Sequence, residues 1–186
     1  MKVKLKSKKF YPCYPVFIVS YYGEDGSVKL STLSSSYSLG DTFVMGMHAG
    51  SYLAQRIETI KGYCINFLPT AYLHAIERAG MVSNNRKADK TEGTGLTFGK
   101  SLTVNAPLIN GASFVIACEP ITERIVTFDG VKHVFGRIKG YLCEESLLTD
   151  NGFEYGKLDV PLFEADSRGR VYRRMTTDTE QAGSFF

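Results

Sequence analysis

Short runs rich in β-branched, aromatic and other apolar residues, separated by turn residues, recur along most of this chain, which is the pattern of successive β-strands. Residues 16–22 and 27–33 are β-rich and separated by Gly-Glu-Asp-Gly, so we predict a hairpin in which Gly23 and Gly26 take positive φ. In residues 2–8 lysines alternate with apolar or small residues, which predicts an edge strand guarded by charge. Five further strands are predicted at residues 42–47, 63–68, 112–118, 123–128 and 131–143, with Asp129-Gly130 as the tight turn between the last two.

Two short segments have helical spacing instead. Apolar side chains recur every three or four positions in residues 51–61, where Ser51 suits the N-cap. Residues 71–79 predict a second helix, which Thr70 would cap and Gly80 would end. Many strands and a few short helices predict a mainly β fold, a small antiparallel barrel with Greek-key character.

The composition is that of an ordinary globular chain. Its 186 residues are 44% hydrophobic and 22% charged, which favours a single domain over residues 1–186 and disfavours intrinsic disorder. The net charge of +3 is too small to require a nucleic acid as partner. Apolar runs are far shorter than the roughly 20 residues that span a bilayer. We therefore expect neither a nucleic-acid partner nor a membrane partner.

The cysteines and the start of the chain bear on the compartment. Cys13, Cys64, Cys118 and Cys143 form no C-x-x-C pair, so neither a zinc site nor a dense disulfide framework is predicted. The lysine-rich start is followed by prolines and a cysteine, where a signal peptide would have an apolar segment. The cytoplasm is the expected location.

Motifs with self-contained chemistry are missing from the sequence. Residues 95–101 come close to a phosphate-binding P-loop, but three residues separate the glycines where the motif has four. His48, His74 and His133 lack the spacing of metal ligands, and no hydrolase nucleophile motif occurs. The sequence therefore offers no catalytic group that would act without a cofactor.

Hydroxyl side chains are dense at the end of the first hairpin and in the turn after it. Such a cluster offers O–H and N–H donors that can hold a phosphate, and the alternative is a solvated connection between strands. Ser51 adds donors at a helix start, with simple capping as the alternative. Four arginines later in the chain either bind an anion or form a solvated basic face. The residues concerned are Ser31, Thr32, Ser34, Ser35, Ser36 and Ser38, and Arg168, Arg170, Arg173 and Arg174.

Taken in chain order, these segments resemble the flavin reductase-like family of FMN-binding split β-barrels, including its flavoredoxin type. The resemblance covers about residues 14–172. In place of the asparagine and, six residues later, the tryptophan of the flavoredoxin type, this chain has Lys29 and Ser35, and it has no tryptophan. The segments that carry the resemblance are residues 14–20, 28–36, 43–48, 62–66, 89–90, 95–97, 106–109, 118–120 and 132–136.

The resemblance implies an FMN site with two ends. The hydroxyl cluster and Ser51 would bind the cofactor, chiefly its phosphate, and Tyr37 would stack on the flavin in place of the missing tryptophan. Lys90, in the polar segment 81–94, would place a positive charge at the ring edge where negative charge accumulates on reduction. His133 would orient the ring or the substrate. The alternatives are an exposed loop lysine and a half-buried strand histidine.

The resemblance also implies the reaction and the assembly. We expect an FMN-dependent oxidoreductase that takes electrons from NADH or NADPH and passes them to a flavin, a protein or a small-molecule acceptor. We also expect a homodimer with the flavin at the subunit interface, a role for which the apolar pair Phe185-Phe186 is suited. One alternative is a non-enzymatic FMN-binding electron-transfer protein, and another is a nucleic-acid-binding barrel of the OB type.

Overall fold

The computed structural model describes residues 1–82 and 89–184. A curled antiparallel sheet of eight strands forms the centre of the fold, and a three-stranded sheet and two short ribbons lie beside it. One α-helix, α1 (Leu73–Met81), and four short 3₁₀ turns (Thr70–Tyr72, Thr122–Arg124, Glu145–Leu147 and Tyr155–Lys157) are found in the described residues. The strands are β1 (Tyr11–Pro15), β2 (Phe17–Tyr22), β3 (Val28–Leu33), β4 (Ser36–Leu39), β5 (Thr42–His48), β6 (Tyr63–Phe67), β7 (Phe98–Lys100), β8 (Pro107–Ile109), β9 (Phe114–Pro120), β10 (Val126–Phe128), β11 (Val131–Cys143), β12 (Leu148–Thr149), β13 (Gly152–Phe153), β14 (Leu162–Ala165) and β15 (Arg170–Arg173).

The strand order of the large sheet shows how it curls. The order is β3-β2-β6-β9-β11-β5-β4, with β10 paired to β11. The first and last strands of this order, β3 and β4, follow each other in the chain and are separated only by Ser34 and Ser35. A two-residue link can join opposite edges of a sheet only if the sheet curls back on itself. The sheet is therefore a half-barrel with a split between β3, which pairs with β2, and β5, which pairs with β4.

The core lies on both faces of the central strands. One cluster of buried side chains fills the inside of the half-barrel and includes Phe17, Met45 and Ile57. The other packs under α1 and includes Ile18 and Ile76. Because Phe17 and Ile18 are neighbours in β2, this strand is buried on both faces, as its apolar start Phe17-Ile18-Val19 indicates.

Much of the predicted β-structure is confirmed. The predicted first hairpin is β2–β3, and Gly26 takes the expected positive φ of 74°. The Asp129-Gly130 turn has φ values of 47° and 75°, both in the left-handed region that two-residue hairpin turns need. The mainly β fold class is confirmed as well. In the described residues, no helix is long and apolar enough to cross a bilayer.

Two predicted elements are wrong. Residues 2–8 form no strand, because no strand of the described chain pairs with them. Residues 51–61 form a series of turns instead of an α-helix: the amide of Ile57 donates to the Leu53 carbonyl over four residues, but those of Arg56 and Thr59 reach back only three. The apolar spacing was still informative, since Leu53 and Ile57 are fully buried.

Gly23 and Thr70 do not have the backbone roles that the sequence predicts for them. Gly23 does not take positive φ; a Cβ there would lie 2.7 Å from both the Asp25 carboxylate and the Lys29 side chain, and these two flexible side chains would have to shift to admit it. Thr70 does not cap α1. Its hydroxyl donates to Asp159 at 2.8 Å, and its backbone N–H donates to the same oxygen at 3.0 Å, which ties the start of the helical segment to the chain before β14.

Candidate functional site

A polar cavity of about 190 Å³ occupies the split of the half-barrel. One wall is the end of β3 and the opposite wall is the end of β5. The turn that follows β5 closes one end, and the last residues of α1 with Lys90 close the other. The lining residues are Ser31, Thr32, Leu33, Met47, His48, Gly50, Ser51, Tyr52, Leu53, Gly80, Val82 and Lys90.

Lys90 is the buried cation of this cavity. Its side chain is 8% exposed, and its Nζ donates to the Ala79 carbonyl at 2.8 Å, near the end of α1. Burial lowers the pKa of this lysine from 10.5 to about 8, because desolvation disfavours the charged form. An ammonium group has three N–H donors, and Ala79 is its one acceptor among the described residues. The other donors are therefore available to an anionic or carbonyl-bearing ligand.

The turn after β5 presents further donors. The ring Nδ1 of His48 accepts from the Gly50 amide at 3.1 Å, and the His48 carbonyl accepts from the Ser51 amide at 2.9 Å. The Ser51 hydroxyl accepts from the Ala54 amide at 3.2 Å, so the capping role is present. In the described part of the chain, the backbone N–H groups of Tyr52 and Leu53, which line the cavity, have no acceptor. An oxyanion would satisfy such groups.

The β3 wall is held close to α1. The Thr32 hydroxyl donates to the Ile76 carbonyl at 2.8 Å. A Cβ at Gly80 would lie 3.1 Å from the Thr32 Cβ, which shows how closely the helix approaches the strand. A larger residue would require Thr32 to move by a few tenths of an ångström, so Gly80 contributes to the close approach of α1 to β3 beside the cavity.

The fold places the predicted cofactor-binding residues in three different locations. Ser31, Thr32, Ser51 and Lys90 line the cavity. Ser34 and Ser35 form the link between β3 and β4, where the Ser35 carbonyl accepts from the Gly46 amide at 2.9 Å. Ser36 and Tyr37 line a second cavity, about 370 Å³ and mostly apolar, with phenylalanines of the barrel and Met175. The structure therefore does not bring all the predicted hydroxyl groups into one site.

His133 lies outside the polar cavity. It is half-buried in β11, paired with Gly46 on one side and with Val126 on the other. Residues 83–88, which are part of the predicted polar segment 81–94, and the pair Phe185-Phe186 are outside the described residues.

The sequence reasoning missed several residues that shape this region. His48 and Tyr52 line the cavity, although neither belongs to a motif. Asn66 is fully buried; its amide group donates to the Ile18 and Cys64 carbonyls and to Ser20, and its Oδ1 accepts from the Ile109 amide. A lone polar residue in the middle of an apolar strand was the available signal for this network.

The outer face of β4, β5, β10 and β11 is apolar. In β5, Met45 and Met47 point into the core, so Val44, Gly46 and His48 share the opposite face. Paired residues of neighbouring strands share a face, so this outer face extends on both sides of β5. It carries five exposed apolar side chains: Tyr37, Leu39, Val126, Phe128 and Val131.

A curled antiparallel half-barrel, split where two of its strands diverge and holding a polar cavity in that split, defines the split-barrel class. Within this class, the chain belongs to the flavin reductase-like domain family, whose sequence model matches residues 11–158.

Solved structures show the same fold. The flavoredoxin of Desulfovibrio vulgaris (Miyazaki F) superposes with a TM-score of 0.86 at 21% identity, over 99% of this chain and 98% of that chain. An FMN-binding protein from Thermus thermophilus, solved with 1-cyclohex-2-enone, gives 0.76 at 18% identity over 97% of both chains. The NADH:FAD oxidoreductase SgcE6 of Streptomyces globisporus gives 0.66 at 16% identity, over 92% of this chain and 85% of that chain.

Proposed function

We propose that this protein binds FMN at the cavity of the split and acts as an NAD(P)H-dependent flavin oxidoreductase. The observation that carries the proposal is the buried Lys90, whose Nζ has donors available in a cavity lined by hydroxyl and backbone N–H groups. Membership of the flavin reductase-like family supports it. Bound FMN would supply the hydride and electron chemistry, which accounts for the lack of a self-contained catalytic motif.

The residues present fit this cofactor. Ser51 and the Tyr52 and Leu53 amides are suited to the phosphate, since these groups donate hydrogen bonds to oxyanions. Lys90 is suited to the polar edge of the ring, where a cation stabilises the added electrons more than the oxidised state. In this division of roles Ser51 anchors the cofactor, and Lys90 sets its potential and the rate of its reduction.

A homodimer is part of the proposal. Ligand pockets usually enclose about 300–1,000 Å³, whereas this cavity encloses about 190 Å³, so one protomer covers only part of a flavin. His48 belongs both to the cavity and to the apolar outer face of β4, β5, β10 and β11. A second copy packed on that face would therefore lie beside the cavity and complete the enclosure.

The first experiment tests binding and turnover. We expect the purified protein to be yellow and to release FMN on denaturation. Adding NADH or NADPH without oxygen should bleach the bound flavin, and adding free flavin, a protein or a small acceptor should restore the colour. Bound FMN that no nicotinamide reduces would favour the non-enzymatic electron-transfer protein. Failure to bind FMN would contradict both the oxidoreductase and the electron-transfer protein.

The second experiment separates the two roles in the cavity. Ser51→Ala should weaken FMN binding about 10-fold or more, since a hydrogen bond to a charged group contributes about 1.5–3 kcal/mol. Lys90→Ala should leave the affinity for oxidised FMN nearly unchanged but lower the midpoint potential by about 30 mV or more, where 30 mV is about 1.4 kcal/mol for two electrons. Lys100→Ala, at an exposed lysine of β7, is the matched control. Loss of FMN from the Lys90 variant would make this lysine an anchor.

The hydroxyl groups outside the cavity need their own variant. We retain the expectation that Ser34–Ser36 contribute to phosphate binding, although these residues lie in the β3–β4 link and at the start of β4. A Ser34→Ala/Ser36→Ala double variant with unchanged FMN affinity would leave the phosphate to the Ser51 turn alone.

A further inference from the structure

The net positive charge of this protein is concentrated in two segments of the chain. Residues 1–9 carry five lysines, and residues 164–174 carry four arginines against Glu164 and Asp166, so these two segments together have a net charge of +7. The whole chain has a net charge of +3, so the remaining residues together have a charge of −4. The positive charge is therefore a local property of these two segments.

Hydrogen bonds hold the two segments together. The hydroxyls of Ser7 and Ser167 are 2.8 Å apart. The Lys8 amide donates to the Ser167 hydroxyl at 3.0 Å, and the Ser167 amide donates to the Ser7 hydroxyl at 3.1 Å. Ser167 lies in the turn between β14 and β15. The lysine-rich segment thus contacts the turn of the arginine-bearing hairpin at Ser7 and Lys8, and we call the two segments, residues 1–9 and 164–174, the basic face.

Almost all the cations of the basic face are exposed without a counterion. Arg173 pairs with Glu164 at 2.8 Å. The other eight form no ion pair within residues 1–82 and 89–184, and the Asp166 carboxylate accepts from the Arg168 and Gly169 amides inside its own turn. Eight unpaired charges in two adjoining segments repel one another, so a polyanionic surface would be attracted to them.

Apolar side chains are interleaved with these charges. Val3 and Leu5 alternate with lysines and are 80% and 57% exposed. Phe10, which directly follows the lysine-rich segment, and Val171 of β15 are 62% and 57% exposed and line one open groove of about 380 Å³. The charged residues that line this groove are Glu164 and Asp166, so the cations lie around it. A binding partner that covers this face must accept cations and aliphatic or aromatic groups together.

We infer that the basic face binds the surface of an anionic lipid bilayer. Headgroup phosphates would pair with the lysines and arginines, and Val3, Leu5 and Phe10 would enter the boundary between headgroups and acyl chains. Nucleic acid offers phosphates but leaves aliphatic side chains in water, so the apolar component favours lipid. The sequence prediction of no membrane partner considered spanning segments, whereas this contact is peripheral and depends on two segments that only the fold brings together. The inference does not rest on the proposed flavin chemistry.

Sedimentation with vesicles tests the inference directly. The full chain should bind vesicles of phosphatidylcholine mixed with phosphatidylglycerol at low salt and should not bind phosphatidylcholine alone. Binding should weaken strongly near 1 M salt, where the screening length falls to about 3 Å. Failure of the protein to prefer the anionic vesicles at low salt would overturn the inference.

Matched variants locate the contact. Lys6→Gln/Lys8→Gln/Arg170→Gln should lower anionic vesicle binding about 100-fold, since each basic residue near the surface contributes about fivefold. Lys61→Gln/Lys100→Gln/Lys157→Gln removes the same charge from exposed lysines elsewhere and should retain binding. Equal losses in the two triple variants would show a net-charge effect and refute the basic face. Tighter binding to a short DNA duplex than to the vesicles at equal salt would assign the face to nucleic acid instead.

Two further variants test how the face is built. Ser167→Ala removes the hydroxyl that joins the segments and should weaken vesicle binding while leaving the thermal midpoint nearly unchanged. Leu5→Ser/Phe10→Ser should reduce the part of the binding that persists at high salt. Unchanged binding in the Leu5→Ser/Phe10→Ser variant would remove the apolar argument and, with it, the choice of lipid.

Discussion

At the scale of single residues, the burial of Lys90 has a measurable cost. A lysine with a pKa of about 8 in the folded protein and 10.5 when exposed binds fewer protons in the folded than in the unfolded state between these pH values. The contribution of Lys90 to the free energy of unfolding therefore rises with pH between these two values. Below pH 8 the full cost of keeping the buried ammonium charged is present.

Lys90→Met should remove this pH dependence. The stability of the wild type relative to the variant should increase by about 2 kcal/mol between pH 7 and pH 9.5, because 1 pKa unit corresponds to about 1.4 kcal/mol. Urea unfolding at both pH values measures the difference, and comparison with the variant cancels the titration of Cys64 and Cys118, whose pKa values are raised by burial. A difference that does not change with pH would mean that Lys90 is solvated.

Gly136 is the position where an added methyl group should be most damaging. A Cβ there would lie 1.9 Å from the hydroxyl oxygen of Tyr63, whose side chain is fully buried. Gly136→Ala should destabilise the protein by about 3 kcal/mol or more, at or above the usual cost of overpacking a core. Chemical denaturation measures this loss. Adding Tyr63→Phe should recover part of it, because the closest contact is then removed. A double variant as unstable as Gly136→Ala alone would contradict this cause.

At the scale of elements, the sequence predicted strands better than helices. The β2–β3 hairpin and the Asp129-Gly130 turn depend on neighbouring residues alone, namely on alternation and on residues that tolerate positive φ. Residues 51–61 have a helical apolar period, but they form irregular turns. A segment this short is a marginal helix, so the burial of Leu53 and Ile57 decides its backbone path.

Residues 2–8 have the pattern of a strand but form none. Their alternation suits a strand, yet a strand also needs a partner edge, and the sequence of a segment does not show where an open edge lies. In the folded chain these residues meet the β14–β15 turn through side-chain hydrogen bonds instead. The lysines serve as a charged surface and not as guards of a sheet edge.

The Asp129-Gly130 turn allows a clean test of backbone strain. Gly130 has φ of 75° and nothing within 4 Å of an added Cβ, so Gly130→Ala should cost about 1 kcal/mol through conformation alone. Gly169 also has open space but no positive φ, so Gly169→Ala should be neutral or slightly stabilising. Thermal unfolding of the two variants measures the contrast. Equal stability of the two variants would show that the turn tolerates alanine.

At the scale of the whole molecule, the candidate site could be predicted only in part. Ser31, Thr32, Ser51 and Lys90 were expected, and they line one cavity because β3, the turn after β5 and the segment after α1 meet at the split. His48 and Gly80 were not expected, since each lines the cavity only by the packing of distant segments. The division of Ser31 and Ser36 between two cavities follows from the β3–β4 link, which the sequence gives no reason to place at a sheet boundary.

The proposed homodimer makes a prediction for the outer face. Phe128→Asp places a charge among the exposed apolar side chains of β10 and β11 and should convert a dimer into monomers, because a buried unpaired charge is costly. The molar mass measured by light scattering and the affinity for FMN should both fall if the second copy completes the cavity. Leu102→Asp, at an exposed leucine away from this face, should change neither. A wild-type protein that is monomeric with bound FMN would contradict the assembly.

The Ser34–Ser35 link also limits how the molecule can respond to a ligand. Three peptide units join Leu33 to Ser36, so the ends of β3 and β4 cannot separate by more than about 11 Å, whatever occupies the space between them. The two ends are tethered by covalent bonds, which do not loosen with temperature or denaturant as packing does. The Ser35 carbonyl also accepts from the Gly46 amide at 2.9 Å, so the link keeps the end of β3 beside β5, the opposite wall of the cavity, whereas α1 and Lys90 are held only by hydrogen bonds and packing. Any widening of the cavity is therefore expected on the helix side, with the two-serine link holding the side of β3 and β5 in place.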